Sequence, residues 1–247
     1  MTGTKRGLGK FLSMHFASDS LDRETPIPTC QFDAVIHCAV STIKDVDQNN
    51  CADYFSDNVF LTKKVLSIPC RKFIYISTVD VYPRSTRLWK EDDSLVFNSG
   101  IPCLGIYGMS KFISESLVAR SSSNWITLRC SVLLNKYSRT NTIKSILDSS
   151  IHHKLFVSGA SEYNFVLARD LAKFIEMVIS DDLQGIYNVS SSDYIRLDIL
   201  AKECNSDVAF SDYVYELGKA DNRKICQVAP FFDKSTLEAV LQFSEEL

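Results

Sequence analysis

The sequence predicts an α/β fold built on a doubly wound parallel sheet. Short apolar segments of strand length alternate along the chain with segments of helical period. The short segments are apolar at consecutive positions, which is typical of strands buried on both faces of a parallel sheet. Because right-handed crossovers join such strands, the intervening helices should cover both faces of the sheet.

The predicted strands are four apolar runs bounded by polar residues. They are Phe32–Cys38, Lys72–Ser77, Trp125–Ser131 and Gly185–Val189. The predicted helices repeat apolar residues every three or four positions, so each has one stripe to bury. They lie near Tyr54–Leu66, Tyr107–Arg120, Leu167–Ile179, Leu197–Cys204 and Lys234–Phe243.

The composition argues against a membrane-spanning or nucleic-acid-binding protein. The 247 residues are 45% hydrophobic and 23% charged, and the formal net charge is −3. No apolar run approaches the roughly 20 residues of a transmembrane helix, and the polar N-terminus does not resemble a signal peptide. Eight cysteines form no CxxC pair, and none lies at ligand spacing from His152 and His153. We therefore expect a cytoplasmic protein with reduced thiols and no metal site.

The chain begins with a glycine-rich turn that contains Gly3, Gly7 and Gly9, followed by a predicted helix over 10–16. Such a turn lets the backbone approach a pyrophosphate, which the N-terminus of the next helix stabilises. Almost nothing precedes Gly3, so we expect the first strand of the sheet to be missing. A glycine loop alone is weak evidence, and a solvated N-terminus is the alternative.

Tyr107 and Lys111 are the strongest candidates for chemistry. They stand four positions apart at the start of a predicted helix, and therefore on one face of it. An ammonium beside a phenol favours the phenolate and lowers the phenol pKa. Thr78 ends the preceding strand, where its hydroxyl can bond the same substrate oxygen. The three groups suit proton transfer at a carbinol oxygen during hydride transfer, whereas a surface Tyr–Lys pair is the alternative.

From about residue 32 to residue 243, the chain resembles the extended short-chain dehydrogenase/reductases of the NAD-dependent epimerase/dehydratase type. The segments that carry the resemblance are 32–40, 58–62, 77–82, 107–111, 126–132, 164–172, 186–189 and 223–233. The resemblance implies a Rossmann-like fold that binds NAD or NADP and a nucleotide-sugar substrate. It also implies a homodimer that uses the helix bearing Tyr107.

The resemblance assigns roles to individual residues. Thr78, Tyr107 and Lys111 are implied as the catalytic residues, with Asn58 supporting the lysine. Arg223 is implied as a donor to the substrate diphosphate, for which a guanidinium is well suited. The implied cofactor-binding residues are Gly3, Gly7, Gly9, His37, Ala39, Tyr107 and Lys111.

Several positions depart from the family pattern. Gly9 and His37 are 28 residues apart, about half the usual spacing, so one β–α unit is shortened or lost. The residue that reads the adenosine ribose cannot be placed, and Asp19 and Asp22 are candidates. Val79 replaces the aspartate of the 4,6-dehydratases, which disfavours dehydration.

We therefore expect an abbreviated dinucleotide-binding domain over 1–130, to which 164–190 returns, and a small substrate lobe over 131–163 and 191–247. The expected reaction is epimerisation or reduction of a nucleotide sugar at C4, with Tyr107 as acid and base. One alternative is a reductase of a non-sugar carbonyl with the same fold, and another is a non-catalytic relative with a degenerate cofactor site. A third is that the natural chain starts upstream of Met1.

Overall fold

The computed structural model describes residues 1–22, 24–41, 43, 45–95, 105–121, 124–148 and 154–247. His152 and His153 lie outside the described residues. Strands β1–β10 are Phe32–His37, Cys70–Thr78, Ser85–Trp89, Trp125–Cys130, Val132–Leu134, Glu162–Tyr163, Phe165–Leu167, Gly185–Val189, Ile195–Arg196 and Gly218–Ala220. Helices α1–α9 are Gly7–His15, Cys51–Phe55, Leu61–Val65, Ile106–Ala119, Thr142–Leu147, Ala168–Ser180, Leu197–Glu203, Arg223–Val228 and Thr236–Ser244. The π-helical turn Ser56–Phe60 joins α2 to α3, and the 3₁₀ turn Val79–Val81 follows β2.

The central sheet confirms the predicted α/β class. Its order is β1-β2-β4-β8, every pairing is parallel, and these are the four strands that the apolar runs predicted. Successive side chains along β2 point to opposite faces, as the pleat requires. Ile74 and Ile76 join the core under α1 and α6, whereas Phe73 and Tyr75 join the core with Val65 of α3. The sheet is therefore buried on both faces.

No strand precedes α1 among the described residues, as expected, and a single residue pairs with the edge of the sheet there. Thr2 forms parallel bridges with both His37 and Leu21, so one residue occupies the place of a strand between them. The amide of Thr2 donates to the Ile36 carbonyl at 3.1 Å, and the amide of Leu21 donates to the Met1 carbonyl at 2.7 Å. The N-terminal half is abbreviated, as expected, and this single bridging residue takes the place of its first strand.

A second hydrophobic cluster lies beyond the central sheet. It is formed by residues of β5, β6, β7, α5, α7 and α9, with Phe165, Leu197 and Phe243 completely buried. The sequence places these elements within 132–167 and 195–244. The division into a dinucleotide-binding domain and a substrate lobe stays a prediction.

No helix in the described part of the chain has both the length and the apolarity that crossing a bilayer demands.

Candidate active site

The carboxyl ends of β1, β2 and β4 open into a cavity of ≈ 1120 Å³. In a parallel sheet this edge collects the loops that follow the strands, and ligands bind there. Most of the residues singled out from the sequence line this one cavity. They are Gly3, Gly7, Gly9, Ala39, Thr78, Tyr107 and Lys111. The structure thus brings the glycine turn and the Thr–Tyr–Lys group together, whereas it places His37, Asn58 and Arg223 elsewhere.

The glycine turn forms a tight cradle at the start of α1. Gly3 adopts a φ of +74°, and a Cβ there would stand 2.9 Å from the amide nitrogen of Ala39. A Cβ on Gly9 would overlap the carbonyl oxygen of Gly3. Gly7 begins α1, whose first turn carries no acidic residue to neutralise the positive end of the helix dipole. The cradle therefore fits a diphosphate group by its shape and by its electrostatics.

Asp22 also faces this end of the cavity. Its carboxylate pairs with the Lys5 ammonium at 3.2 Å, and both residues belong to the lining. Asp19, the other candidate from the sequence, uses its backbone carbonyl to accept a hydrogen bond from the N-terminal ammonium at 2.7 Å. Of the two acids, Asp22 alone lines the cavity.

His37 is a buried structural residue beneath the glycine turn. Its Nδ1 lies 2.7 Å from the Thr2 hydroxyl, and its Nε2 lies 2.9 Å from the Thr62 hydroxyl. The Thr2 oxygen accepts from the amides of Cys38 and Ala39, so its proton must go to Nδ1. Burial lowers the pKa of His37 to about 3, which keeps the ring neutral with its proton on Nε2. His37 thus fixes Thr2 rather than lining the cavity.

Asn58 joins the segment after β1 to helix α4, and no hydrogen bond runs from its side chain to Lys111 in the described part of the chain. Its Oδ1 accepts from the Ser41 amide at 2.7 Å, and its Nδ2 donates to the Ser110 hydroxyl at 3.3 Å. Ser110 in turn donates to the carbonyl of Tyr107 at 2.8 Å. Asn58 therefore connects the segment after β1 to the first turn of α4, which carries Tyr107 and Lys111.

Lys111 is 4% exposed and lies at the floor of the cavity. Its Nζ donates to the Ile76 carbonyl at 2.8 Å and lies 4.8 Å from the centroid of the Tyr75 ring. Burial lowers the pKa of Lys111 to about 8, against the opposing influence of Cys38, Cys130 and Glu115. The ammonium is held by a strand carbonyl and is protonated at neutral pH.

The environment of Tyr107 differs from the sequence-based expectation, because the pKa of its phenol is raised and not lowered. Burial raises the pKa of Tyr107, and the negative charge of Asp80 raises that pKa further. Thr78 exchanges two hydrogen bonds with Asp80, each 3.2 Å long. In the free protein Tyr107 is therefore a protonated phenol.

A buried ionic network, which the sequence analysis did not predict, joins β2 and β4 to the helix that carries Tyr107 and Lys111. Arg129 of β4 makes a bidentate pair with Glu115 of α4, with Nη2–Oε2 at 2.7 Å. Glu115 also accepts from the Ser77 hydroxyl at 2.5 Å, and Arg129 donates to the Tyr82 hydroxyl at 2.9 Å. The signal available in the sequence was that charged residues stand inside otherwise apolar patterns. Charged side chains are almost never fully buried unless they are paired.

Arg223 lies outside the cavity lining. Its guanidinium makes a bidentate pair with the Asp221 carboxylate, with Nε–Oδ1 at 3.0 Å, and its side chain is 72% exposed. The pairing raises the pKa of Arg223 and lowers that of Asp221. Contact between Arg223 and a substrate diphosphate stays a prediction.

No group of three or more His, Cys, Asp or Glu side chains comes together as a candidate metal site within the described ranges. The described cysteines are free thiols.

The model of the NAD dependent epimerase/dehydratase family matches residues 16–190. The chain belongs to this family. A comparison with curated proteins finds no match to the chain.

Several solved structures share this fold over 99% or more of the chain. The dTDP-4-dehydrorhamnose reductase of Bacillus anthracis str. Ames, in complex with NADP, aligns with a TM-score of 0.80 and 20% identity, over 100% of this chain and 98% of that one. A mutant UDP-glucuronic acid 4-epimerase of Bacillus cereus, in complex with a fluorinated substrate analogue and NAD, aligns with a TM-score of 0.75 and 15% identity, over 99% and 98%. RMD from Pseudomonas aeruginosa, complexed with NADPH, aligns with a TM-score of 0.68 and 16% identity, over 99% and 97%.

Proposed function

We propose that this protein is an NAD(P)-dependent enzyme that epimerises or reduces a nucleotide sugar, with C4 as the reacting carbon. The observation that carries the proposal is the convergence of the glycine cradle with Thr78, Tyr107 and Lys111 on one cavity. Family membership and the complexes of similar structures with NADP, NAD and NADPH support the cofactor.

The chain offers distinct groups to each part of the dinucleotide. Gly3, Gly7 and Gly9, with the N-terminus of α1, would hold the diphosphate, and the loop at Ala39 would pack against it. Lys111 would bind the nicotinamide ribose through its ammonium. When bound, the nicotinamide supplies or accepts the hydride at the sugar carbon.

Tyr107 donates a proton to the reacting substrate oxygen or accepts one from it. In the free protein its phenol is protonated, because burial and the Asp80 charge raise its pKa, so it is ready to donate to a carbonyl oxygen. The Lys111 ammonium stabilises the phenolate that remains after proton transfer. Thr78 bonds the substrate oxygen when that oxygen is a hydroxyl and fixes its position, while Asn58 holds the start of α4.

The first test is a titration of the protein with NADH and NADPH, followed by energy transfer from Trp89 and Trp125. Micromolar binding supports a working dinucleotide site in the shortened N-terminal half, whereas no binding at millimolar cofactor rejects the proposal. A nucleotide-sugar activity screen follows. Tyr107→Phe should abolish turnover and leave cofactor binding intact, with Tyr213→Phe, an exposed tyrosine, as the matched control.

The position of Arg223 favours a second candidate, a reductase of a non-sugar carbonyl. A guanidinium is a well-suited donor to a substrate diphosphate, and this arginine is paired with Asp221 outside the cavity. A nucleotide-sugar library that neither binds nor turns over, together with full carbonyl reductase activity in Arg223→Ala, would favour this second function.

A further inference from the structure

Asp80 engages the hydroxyl of Thr78 in both of its hydrogen-bonding roles. The Asp80 amide donates to Thr78 Oγ1 at 3.2 Å, and Thr78 Oγ1 donates to Asp80 Oδ2 at 3.2 Å. The two residues are held in this arrangement because Thr78 is the N-cap of the 3₁₀ turn Val79–Val81. A hydroxyl has one proton and two lone pairs, so Thr78 retains one lone pair for a ligand and no proton.

The second carboxylate oxygen of Asp80 faces the C-terminal part of the chain. The Tyr215 hydroxyl donates to Oδ1 at 3.5 Å, and the ring of Tyr215 stacks on Tyr163 with centroids 5.8 Å apart. The Arg84 guanidinium lies 5.8 Å from the Tyr215 ring centroid. Burial raises the pKa of Asp80, while the bonds from Thr78 and Tyr215 and the charge of Arg84 oppose that rise.

The charge of Asp80 reaches Tyr107 as well. It is the largest influence after burial in raising the pKa of that phenol. Tyr107 and Thr78 line the same cavity. The Asp80 carboxylate therefore influences both hydroxyls that would meet a substrate oxygen, since it accepts the proton of Thr78 and raises the pKa of Tyr107. With Asp80 ionised, Tyr107 is a hydrogen-bond donor and Thr78 is an acceptor.

We propose that Asp80 is a positioning residue that makes the site prefer a substrate hydroxyl over a carbonyl at the reacting carbon. A hydroxyl oxygen can accept from Tyr107 and donate its own proton to Thr78, whereas a carbonyl oxygen has no proton for Thr78. The inference rests on the proposed function, because it assigns Tyr107 and Thr78 to the same substrate oxygen. If the Asp80 carboxylate is removed, the Thr78 proton is released and both hydroxyls can donate to a carbonyl.

The binding test uses two ligands that differ only at C4, dTDP-6-deoxyglucose and dTDP-4-dehydro-6-deoxyglucose. Their dissociation constants are measured by calorimetry for the wild type, Asp80→Ala and Asp80→Asn. Removing the carboxylate should weaken the preference for the hydroxyl ligand by about fivefold to tenfold, the worth of one hydrogen bond. Asp80→Asn keeps the side-chain shape and one acceptor oxygen for the two donors Thr78 and Tyr215, so it should change the preference in the same direction by a smaller factor. Asp198→Ala, which removes an exposed carboxylate, should leave it unchanged.

A second measurement needs no substrate. A fluorinated tyrosine at position 107 has a more acidic phenol, whose pKa can be followed by ¹⁹F NMR in the free protein. Asp80→Asn should lower this pKa, because the charge that raises it is removed, and an unchanged pKa would overturn the inference. An unchanged ligand preference in both Asp80 variants would overturn it too. If neither sugar nucleotide binds the wild type, the pair is replaced by the C4 hydroxyl and C4 carbonyl forms of a nucleotide sugar that the activity screen identifies. If nothing in the library binds, the proposed substrate class fails, and the NMR titration alone decides the role of Asp80.

Discussion

Removal of one partner of the buried Arg129–Glu115 pair should destabilise the protein strongly. The two side chains are 4% and 5% exposed, and three guanidinium–carboxylate contacts of 2.7 to 3.2 Å join them. Burial alone would lower the pKa of Arg129, yet the hydrogen bonds and charge of Glu115 outweigh it and raise that pKa. Glu115→Gln would therefore leave a buried cation that cannot lose its proton.

The expected cost of Glu115→Gln is about 3 kcal/mol, the lower end of the range for breaking a buried pair, because glutamine keeps one acceptor for the guanidinium. The Ser77 hydroxyl would lose its charged acceptor in the same variant. Since a domain is commonly stable by only about 5–15 kcal/mol, this loss is a large share of the whole. The assay is urea unfolding at pH 7, followed by circular dichroism.

Two controls separate the buried pair from general charge effects. Asp198→Asn breaks the exposed pair with Arg196 and should change the free energy of unfolding by less than about 1 kcal/mol. The double variant Glu115→Leu with Arg129→Met removes both charges and should recover much of the lost stability. A Glu115→Gln protein that unfolds at the same urea concentration as the wild type would refute the reasoning.

Three further predictions follow from the cradle and from the two buried bases. Gly9→Ala should abolish NADH binding in the fluorescence titration, because the new Cβ would overlap the Gly3 carbonyl, whereas Gly105→Ala adds its Cβ in open space and should bind normally. Lys111→Met should raise the free energy of urea unfolding at pH 7 by up to about 3 kcal/mol, since it removes the cost of burying a charge. That gain should shrink between pH 8 and pH 10.5, where the unfolded chain holds a proton that the folded chain has released, and a gain independent of pH would contradict it. His37 has a lowered pKa, so its contribution to stability is complete above about pH 6.5 and is lost as pH falls towards 3. His37→Gln should flatten this part of the curve of unfolding free energy against pH. An unaltered curve would count against a neutral buried ring.

The sequence predicted the parts of the fold that depend on periodicity. The four strands of the central sheet coincide with the four apolar runs, and α4 begins at Ile106, one residue before its predicted start. The short strands of the C-terminal part were not predicted, because segments such as Glu162–Tyr163 are too brief to express an alternation. Boundaries differ by a few residues, as they do wherever helix ends fray.

The site was predictable only where a local motif carried it. The i, i+4 spacing placed Tyr107 and Lys111 on one face of α4, and both line the cavity with Thr78. The spacing could not predict the environment of the phenol, because the carboxylate that raises its pKa comes from Asp80, on a different element. The sequence also could not predict that Arg223 pairs with Asp221, because an arginine in a sequence does not indicate which carboxylate its guanidinium will contact.

The shortened N-terminal half keeps its geometry through polar contacts rather than through strand length. A full first strand would fix the glycine turn by a ladder of backbone hydrogen bonds, and here a single residue, Thr2, forms that pairing. Its hydroxyl compensates, because it accepts from two amides of the segment after β1 and donates to His37. The Nε2 of His37 donates to the hydroxyl of Thr62, which in turn donates to the Asn58 carbonyl at 2.8 Å.

From Asn58 the same chain of hydrogen bonds continues to Ser110 on α4. The glycine cradle and the helix that carries Tyr107 and Lys111 are therefore joined by one buried polar path, in which every hydroxyl has a defined direction. Such a path is rigid only while each member is satisfied, since an unpaired buried polar group is costly. This explains why a neutral His37 is required: a proton on Nδ1 would face the Thr2 oxygen, whose lone pairs are already occupied, and would break the link between the two halves of the site.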